Sequence, residues 1–171
     1  MAAQGFLARV AGRTKQLFGL QVSVGAADSG KLVALDSTGK IDPSMLPSAI
    51  SGNTFTAVAS EALSAGDFVN VWDDAGVFKI RKADNSNGRF AWGYVTAAVS
   101  ATVAGTAQRL NTVNANLSGL TPGADYWLGV AGGVISTPLD PAVDTGKVDQ
   151  FLGKALSATE LVTAEYEPVT L

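Results

Sequence analysis

Residues 68–81, FVNVWDDAGVFKIR, decide how this chain is to be read. Two runs rich in β-branched and aromatic side chains, 68–72 and 77–81, flank Asp73-Asp74-Ala75-Gly76, whose turn chemistry predicts a β-hairpin. The first run is apolar at consecutive positions, so both faces of its strand ask for burial. One of those faces could lie at a subunit interface.

The same grammar continues on either side. Residues 55–58 read as a short strand, and residues 89–99, RFAWGYVTAAV, place Phe90, Trp92 and Tyr94 on one face with small residues opposite. Residues 107–117 alternate less clearly. Gly119-Leu120-Thr121-Pro122-Gly123 is a tight turn by chemistry and leads into 126–130, and Gly132-Gly133 turns into 134–136. A proline- and aspartate-bearing loop over 138–146 precedes a last hairpin, 151–156 with 161–164, around Ser157-Ala158-Thr159. Eight or nine short strands with turn signals between them predict an all-β fold, an antiparallel barrel or sandwich over residues 54–171.

Before that domain the pattern changes. Over residues 2–20, Phe6, Val10 and Leu17 can share a helical face with Leu7 and Phe18 beside it, which predicts an amphipathic helix interrupted by Gly12. Arg9, Arg13 and Lys15 give it a charge of +3, while the whole chain carries −3. Such a helix can pack on its own domain, dock on an acidic or apolar partner, or lie on a membrane with a thin polar face. With an extended connector over 20–30 it makes an N-terminal arm, residues 1–29. Residues 30–53 form a collar: Leu32, Val33 and Leu35 before a turn at Asp36-Ser37-Thr38-Gly39, then Ile41, Met45 and Leu46 bracketed by Pro43 and Pro47. Asp42-Pro43 reads as an N-cap opening one helical turn that Pro47 stops. Six sizeable apolar side chains cannot be enclosed by so short a piece, which predicts another surface as their partner.

Composition narrows the function. Of 171 residues 47% are hydrophobic and only 16% charged, against roughly 25% in an ordinary soluble domain, which suits a subunit that covers much of its surface with neighbours. Cysteine and histidine are both absent, which excludes disulfides, thiolate chemistry, Ser-His-Asp and Cys-His catalysis and His-ligated zinc. From residue 51 onward seven basic residues face twelve acidic ones, a net −5 that opposes nucleic-acid binding. The first fifteen residues have no long apolar core or cleavage motif and no run of about 20 apolar residues is present, so neither a signal peptide nor a membrane partner is expected.

The remaining chemistry lies in the carboxylates and aromatics. Asp73 and Asp74 suit a hairpin tip, Asp140, Asp144 and Asp149 lack the ligand spacing of a calcium loop, and Glu160, Glu165 and Glu167 are scattered. No catalytic residue, metal site or cofactor is expected. Trp72, Trp92 and Trp127 each keep step with the apolar face of their strands, which favours core or interface over a sugar-binding role.

With these residues read, residues 30–47, GKLVALDSTGKIDPSMLP, resemble a segment that recurs in tailed-bacteriophage fibre and decoration proteins, where it precedes a C-terminal domain and takes part in trimeric assembly or attachment. Residues 62–67 (ALSAGD), 82–84 (KAD), 93–95 (GYV), 117–123 (LSGLTPG) with Tyr126 and Leu128, and 153–161 (GKALSATEL) are similar, in that order, to a domain of phage structural proteins. The resemblance implies a non-enzymatic virion protein, a homotrimeric capsid decoration (cement) or head-fibre subunit on the outer surface of the capsid. Its partners would be the major capsid protein or another virion protein. The N-terminal arm falls outside these motifs; read on its own residues it would be the docking element, through Phe6, Leu7, Arg9, Val10, Arg13, Lys15, Leu17 and Phe18, and the collar contacts would be Leu32, Val33, Leu35, Ile41, Met45 and Leu46. The alternative is a short tail fibre or adhesin that binds a host surface glycan.

Overall fold

The computed structural model describes residues 5–37, 39–42, 45–46 and 53–171, in two compact units, Met1–Gly52 and Asn53–Leu171. The described residues are almost entirely β.

In the first unit two strands, β1 (Gly5–Val10) and β2 (Arg13–Phe18), form an antiparallel hairpin in unbroken register from Gly5 opposite Phe18 to Val10 opposite Arg13. This corrects the expected helix. Ala11 and Gly12 both adopt left-handed φ, 50° and 78°, and make the two-residue turn that reverses the chain with the twist hairpins favour. Phe6 and Val10 are four apart, a spacing that keeps both on one face of a strand as readily as of a helix. Leu17 joins them by pairing across from Phe6.

The stretch expected to be an extended connector is instead folded around Asp28. A single 3-10 turn, Ala26–Asp28, is held by the Asp28 carboxylate, which accepts from the Val24 N–H at 2.7 Å and pairs with Lys31 at 2.6 Å. Leu20 and Val33 form a parallel bridge. The Asp36 turn forms as expected, with the Lys40 N–H donating to the Asp36 side chain at 2.9 Å. Pro43, Ser44 and Pro47, on which the expected cap and stop rest, lie outside the described residues; the Met45 N–H does donate to the Asp42 carbonyl at 3.0 Å.

The second unit opens with a closed barrel of five strands, β3 (Thr54–Ala59), β4 (Phe68–Asp74), β5 (Val77–Lys82), β6 (Gly93–Val95) and β7 (Ala104–Arg109), in the order β3-β5-β4-β6-β7. The opening hairpin is present: β4 and β5 pair from Val69 with Lys82 to Asp74 with Val77, around Ala75 and Gly76 at φ 54° and 85°. The barrel closes through β3, parallel to β5 and antiparallel to β7. Barrel diameter grows with strand number, so as few as five strands leave room inside only for modest side chains. The interior is accordingly Ala57, Ala59, Leu63, Val69, Ile80, Val95 and Ala107.

A second sheet follows: β8 (Val113–Asn114), β9 (Asp125–Leu128), β10 (Val134–Ile135), β12 (Phe151–Ala155) and β13 (Leu161–Thr163), ordered β10-β9-β12-β13-β8 and antiparallel throughout. Between β10 and β12, β11 (Val148–Asp149) pairs with the C-terminal β14 (Val169–Thr170). The expected last hairpin is β12 with β13. The second sheet and the outside of the barrel share a core in which Phe68 and Tyr94 meet Tyr126, Leu128, Leu152 and Leu161.

Strand β4 is therefore buried on both sides within one chain. Phe68 enters the shared core and its neighbour Val69 the barrel interior, both with no exposed surface. At these residues the second face is occupied by the chain's own second sheet, which corrects the reading of a subunit interface there. The expected long strand over 89–99 is also revised: only Gly93–Val95 is ladder, and Tyr94 is buried while Trp92 is exposed, so the two do not share an environment.

The second sheet contains a position where only glycine fits. Gly153 sits at the bulge of β12, φ 150°, where a Cβ would overlap the Val162 carbonyl oxygen of β13. Gly153→Ala is expected to lower unfolding stability by about 3 kcal/mol or more through backbone collision in the core. Gly88→Ala, at an open turn with φ 76° and nothing near its Cβ, should cost about 1 kcal/mol. Urea denaturation of both variants checks this, and equal midpoints would contradict it.

Candidate functional site

The hairpin sorts the arm residues onto two faces. Directly paired residues share a face, so Phe6, Val10 and Leu17 lie with Arg13 and Lys15, while Leu7, Arg9 and Phe18 lie on the other side. Phe6, Leu7, Val10 and Phe18 are all exposed, Leu7 at 74% of its full surface. The arm thus carries apolar groups and cations on both faces, and both strands leave a row of backbone donors and acceptors on their outer edges.

Among the collar residues, Leu32, Val33, Leu35, Ile41 and Leu46 are exposed as well. Val33 and Met45 line one shallow cleft with Leu20 and Lys31. No described residue before Asn53 is buried, whereas the second unit encloses every fully buried side chain of the described residues. The candidate site of the first unit is a surface without a core behind it.

In the second unit the carboxylates are mostly structural. Asp73 accepts from the Gly76 N–H at 3.3 Å, and Asp74 pairs with Lys79. In the 138–149 loop Asp140 accepts from Ala142, Asp144 from the Asp140 N–H and from Lys147, and Asp149 from Leu139. Those contacts hold the Asp144 carboxyl below its ordinary pKa, the Lys147 ammonium most of all. The described residues contain no group of three or more His, Cys, Asp or Glu side chains able to hold a metal ion, and no helix long and apolar enough to cross a membrane.

The tryptophans divide. Trp72 is half-buried: its indole N–H donates to Ser60 at 2.9 Å, and the Arg81 guanidinium lies 4.6 Å from its ring centre. Trp127 meets Phe151 edge to face. Trp92 is 43% exposed and, with Phe90 and Tyr166, walls a groove of about 270 Å³ whose rim carries Glu165 and Glu167. Its floor includes Gln150, fully buried, whose side-chain amide bonds both the N–H and the carbonyl of Ala91, at 2.7 and 3.0 Å.

No protein-family model matches this chain, and no curated protein does. Among solved structures, the chain is similar to the N base of the head fiber gp8.5 of bacteriophage phi29. The likeness has a TM-score of 0.44 at 16% identity and covers 65% of this chain and 92% of that one.

The groove was not legible in the sequence, because its walls lie about seventy residues apart in the chain and are brought together by long-range contacts, among them Gln150 with Ala91 and Asn111 with Glu165. Equally unforeseen is Asp84, which ties the barrel to the second sheet: its carboxylate accepts from the Ser86 N–H and hydroxyl at 2.9 and 2.6 Å and from the Ala131 N–H at 3.1 Å. Partial burial acts to raise its pKa, but these donors outweigh it and the group ends below the ordinary 3.8. A depressed folded pKa contributes stability that is present above the unfolded value and lost as pH falls through the folded one. Asp84→Asn should therefore weaken the fold near neutrality and remove part of the stability loss on acidification below about pH 4. Denaturation midpoints at neutral and acid pH check it; parallel curves for the two proteins would contradict it.

Proposed function

We propose that this chain is a non-enzymatic phage virion protein, a capsid decoration or head-fibre subunit that attaches to the capsid shell through its N-terminal hairpin and projects a homotrimeric β-domain. The observation that carries the reading is the contrast between the units: the second encloses two cores, and the first has no buried apolar residue among those described. The resemblance of residues 30–47 to a phage attachment segment points the same way.

A two-stranded hairpin is marginal by itself in water. Each large apolar side chain transferred from water to a partner surface contributes about 1.5–3 kcal/mol, so docking Phe6, Leu7, Val10 and Phe18 can offset the cost of fixing the arm. The open strand edges add main-chain pairing to a partner sheet. Arg9, Arg13 and Lys15 steer the arm toward an acidic surface. Three arms on one trimer multiply a weak single attachment through effective concentration. Sparse charge and exposed Leu32, Val33, Leu35, Ile41 and Leu46 fit a collar packed against its two symmetry mates. The absence of histidine and cysteine, and the use of the loop carboxylates in turns, support a binding role without chemistry.

The test uses the whole chain and a version lacking residues 2–20. Both should scatter light as particles of about three chain masses, and only the whole chain should bind phage heads in a sedimentation assay. Binding undiminished by the deletion, or a monomeric whole chain, would refute the arm or the trimer respectively.

A further inference from the structure

The groove between Trp92 and Tyr166 is built in a way the attachment role does not need. We propose that it is a carbohydrate-binding site for a single neutral pyranose ring of a glycan. It lies wholly within the second unit, so it stands or falls independently of what the arm grips.

Both aromatic walls are held in place before any ligand arrives. Trp92 is fixed through its backbone: its N–H donates to the Val69 carbonyl at 2.8 Å, and the preceding residue is clamped by the buried Gln150 amide. Phe90 stands beside it, ring centres 6.4 Å apart. On the facing wall Tyr166 packs edge to face on Phe151 at 5.1 Å, and Phe151 on Trp127 at 5.5 Å, so a relay of rings anchors it from behind. Despite that support Trp92 and Tyr166 remain 43% and 56% exposed. Single exposed aromatics are ordinary; two rigid ones converging on one concavity form a recognition surface that costs little entropy to use.

The rim supplies the polar half. Glu165 is oriented by Asn111, which accepts from its N–H at 3.0 Å and donates to its carboxylate at 3.3 Å. Glu167 lines the same groove. Carboxylates are acceptors only, with several lone-pair sites each, and match vicinal hydroxyl donors. Aromatic faces carry negative potential and take the polarised C–H groups of a sugar's apolar side. A volume of about 270 Å³ falls just below the roughly 300–1,000 Å³ of drug-sized sites, which suits one ring.

Other ligand classes fit less well. Phosphate-bearing and acidic sugars would meet two carboxylates. An organic cation would meet the Arg109 guanidinium, which already sits 5.9 Å from the Trp92 ring centre.

The experiment titrates the full-length protein with neutral hexose and N-acetylhexosamine oligosaccharides, N-acetylneuraminic acid and choline, following ligand signals by saturation-transfer NMR. At least one neutral sugar should bind, with an affinity in the millimolar range expected of a one-ring contact. Trp92→Ala and Tyr166→Ala should each weaken it about tenfold or more. Glu167→Gln, which keeps size but removes charge, should weaken the neutral sugar and relieve the exclusion of N-acetylneuraminic acid. Thermal melts should show every variant cooperatively folded, with Glu167→Gln matching the parent and the two aromatic variants lowered only by their lost ring contacts. No binding by any neutral sugar, preferential binding of choline or the acidic sugar, or binding untouched by both aromatic substitutions would overturn the site.

Discussion

Two adjacent residues on one strand, Phe68 and Val69, are buried in different cores, and the second unit depends on that constraint. Successive side chains of a strand point to opposite faces, so a strand buried on both must have a complete packing layer on each side. On one side lies the barrel interior, narrow enough to be filled largely by alanine and valine. On the other, Phe68 meets Tyr94 edge to face at 5.9 Å across the ladder, and the five-stranded sheet closes over them. The same alternation recurs at Tyr94 and Val95. Buried amides then lock the layers: Asn85 donates to Leu128, Asn114 to Gly66, and Gln150 to Ala91. Each spans the gap between elements and leaves no unpaired polar atom among the described buried side chains.

The first unit obeys the opposite logic. Its order comes from local devices: the Ala11-Gly12 turn, the Asp28 carboxylate gathering its own loop, the Asp36 turn and the Leu20–Val33 bridge. None of these removes much apolar surface from water. A chain segment with large exposed side chains and no interior has a strong thermodynamic reason to associate. The proposed division of labour follows, with one unit folding on itself and the other completing its packing on neighbours.

Much of the second unit was legible because its signals are local. The β-branched and aromatic runs at 68–72 and 77–81, the turn residues between them, and the closing hairpin at 151–164 each predict themselves from a few neighbouring residues. The N-terminal hairpin was misread because Phe6 and Val10 satisfy two periods at once. The deciding signal was the Ala-Gly pair at 11–12, the same dipeptide that turns the chain with positive φ at 75–76 and again at 131–132. Alanine hides such a turn, since φ above zero is ordinarily the mark of glycine or asparagine. The short pairing of β11 with β14, the Asp84 tie and the Trp92 groove depend on contacts between residues far apart in sequence, which no local pattern encodes.

The central claim is that the first unit is ordered by other chains and the second by itself. Hydrogen exchange of the full-length protein, alone and bound to phage heads, reads this out strand by strand. The account predicts amides of β4 and β12 protected to near the global stability in both states, and amides of β1 and β2 that exchange freely in the protein alone and gain protection only on binding to heads. Protection of β1 and β2 equal to that of β4 in the protein alone would contradict it.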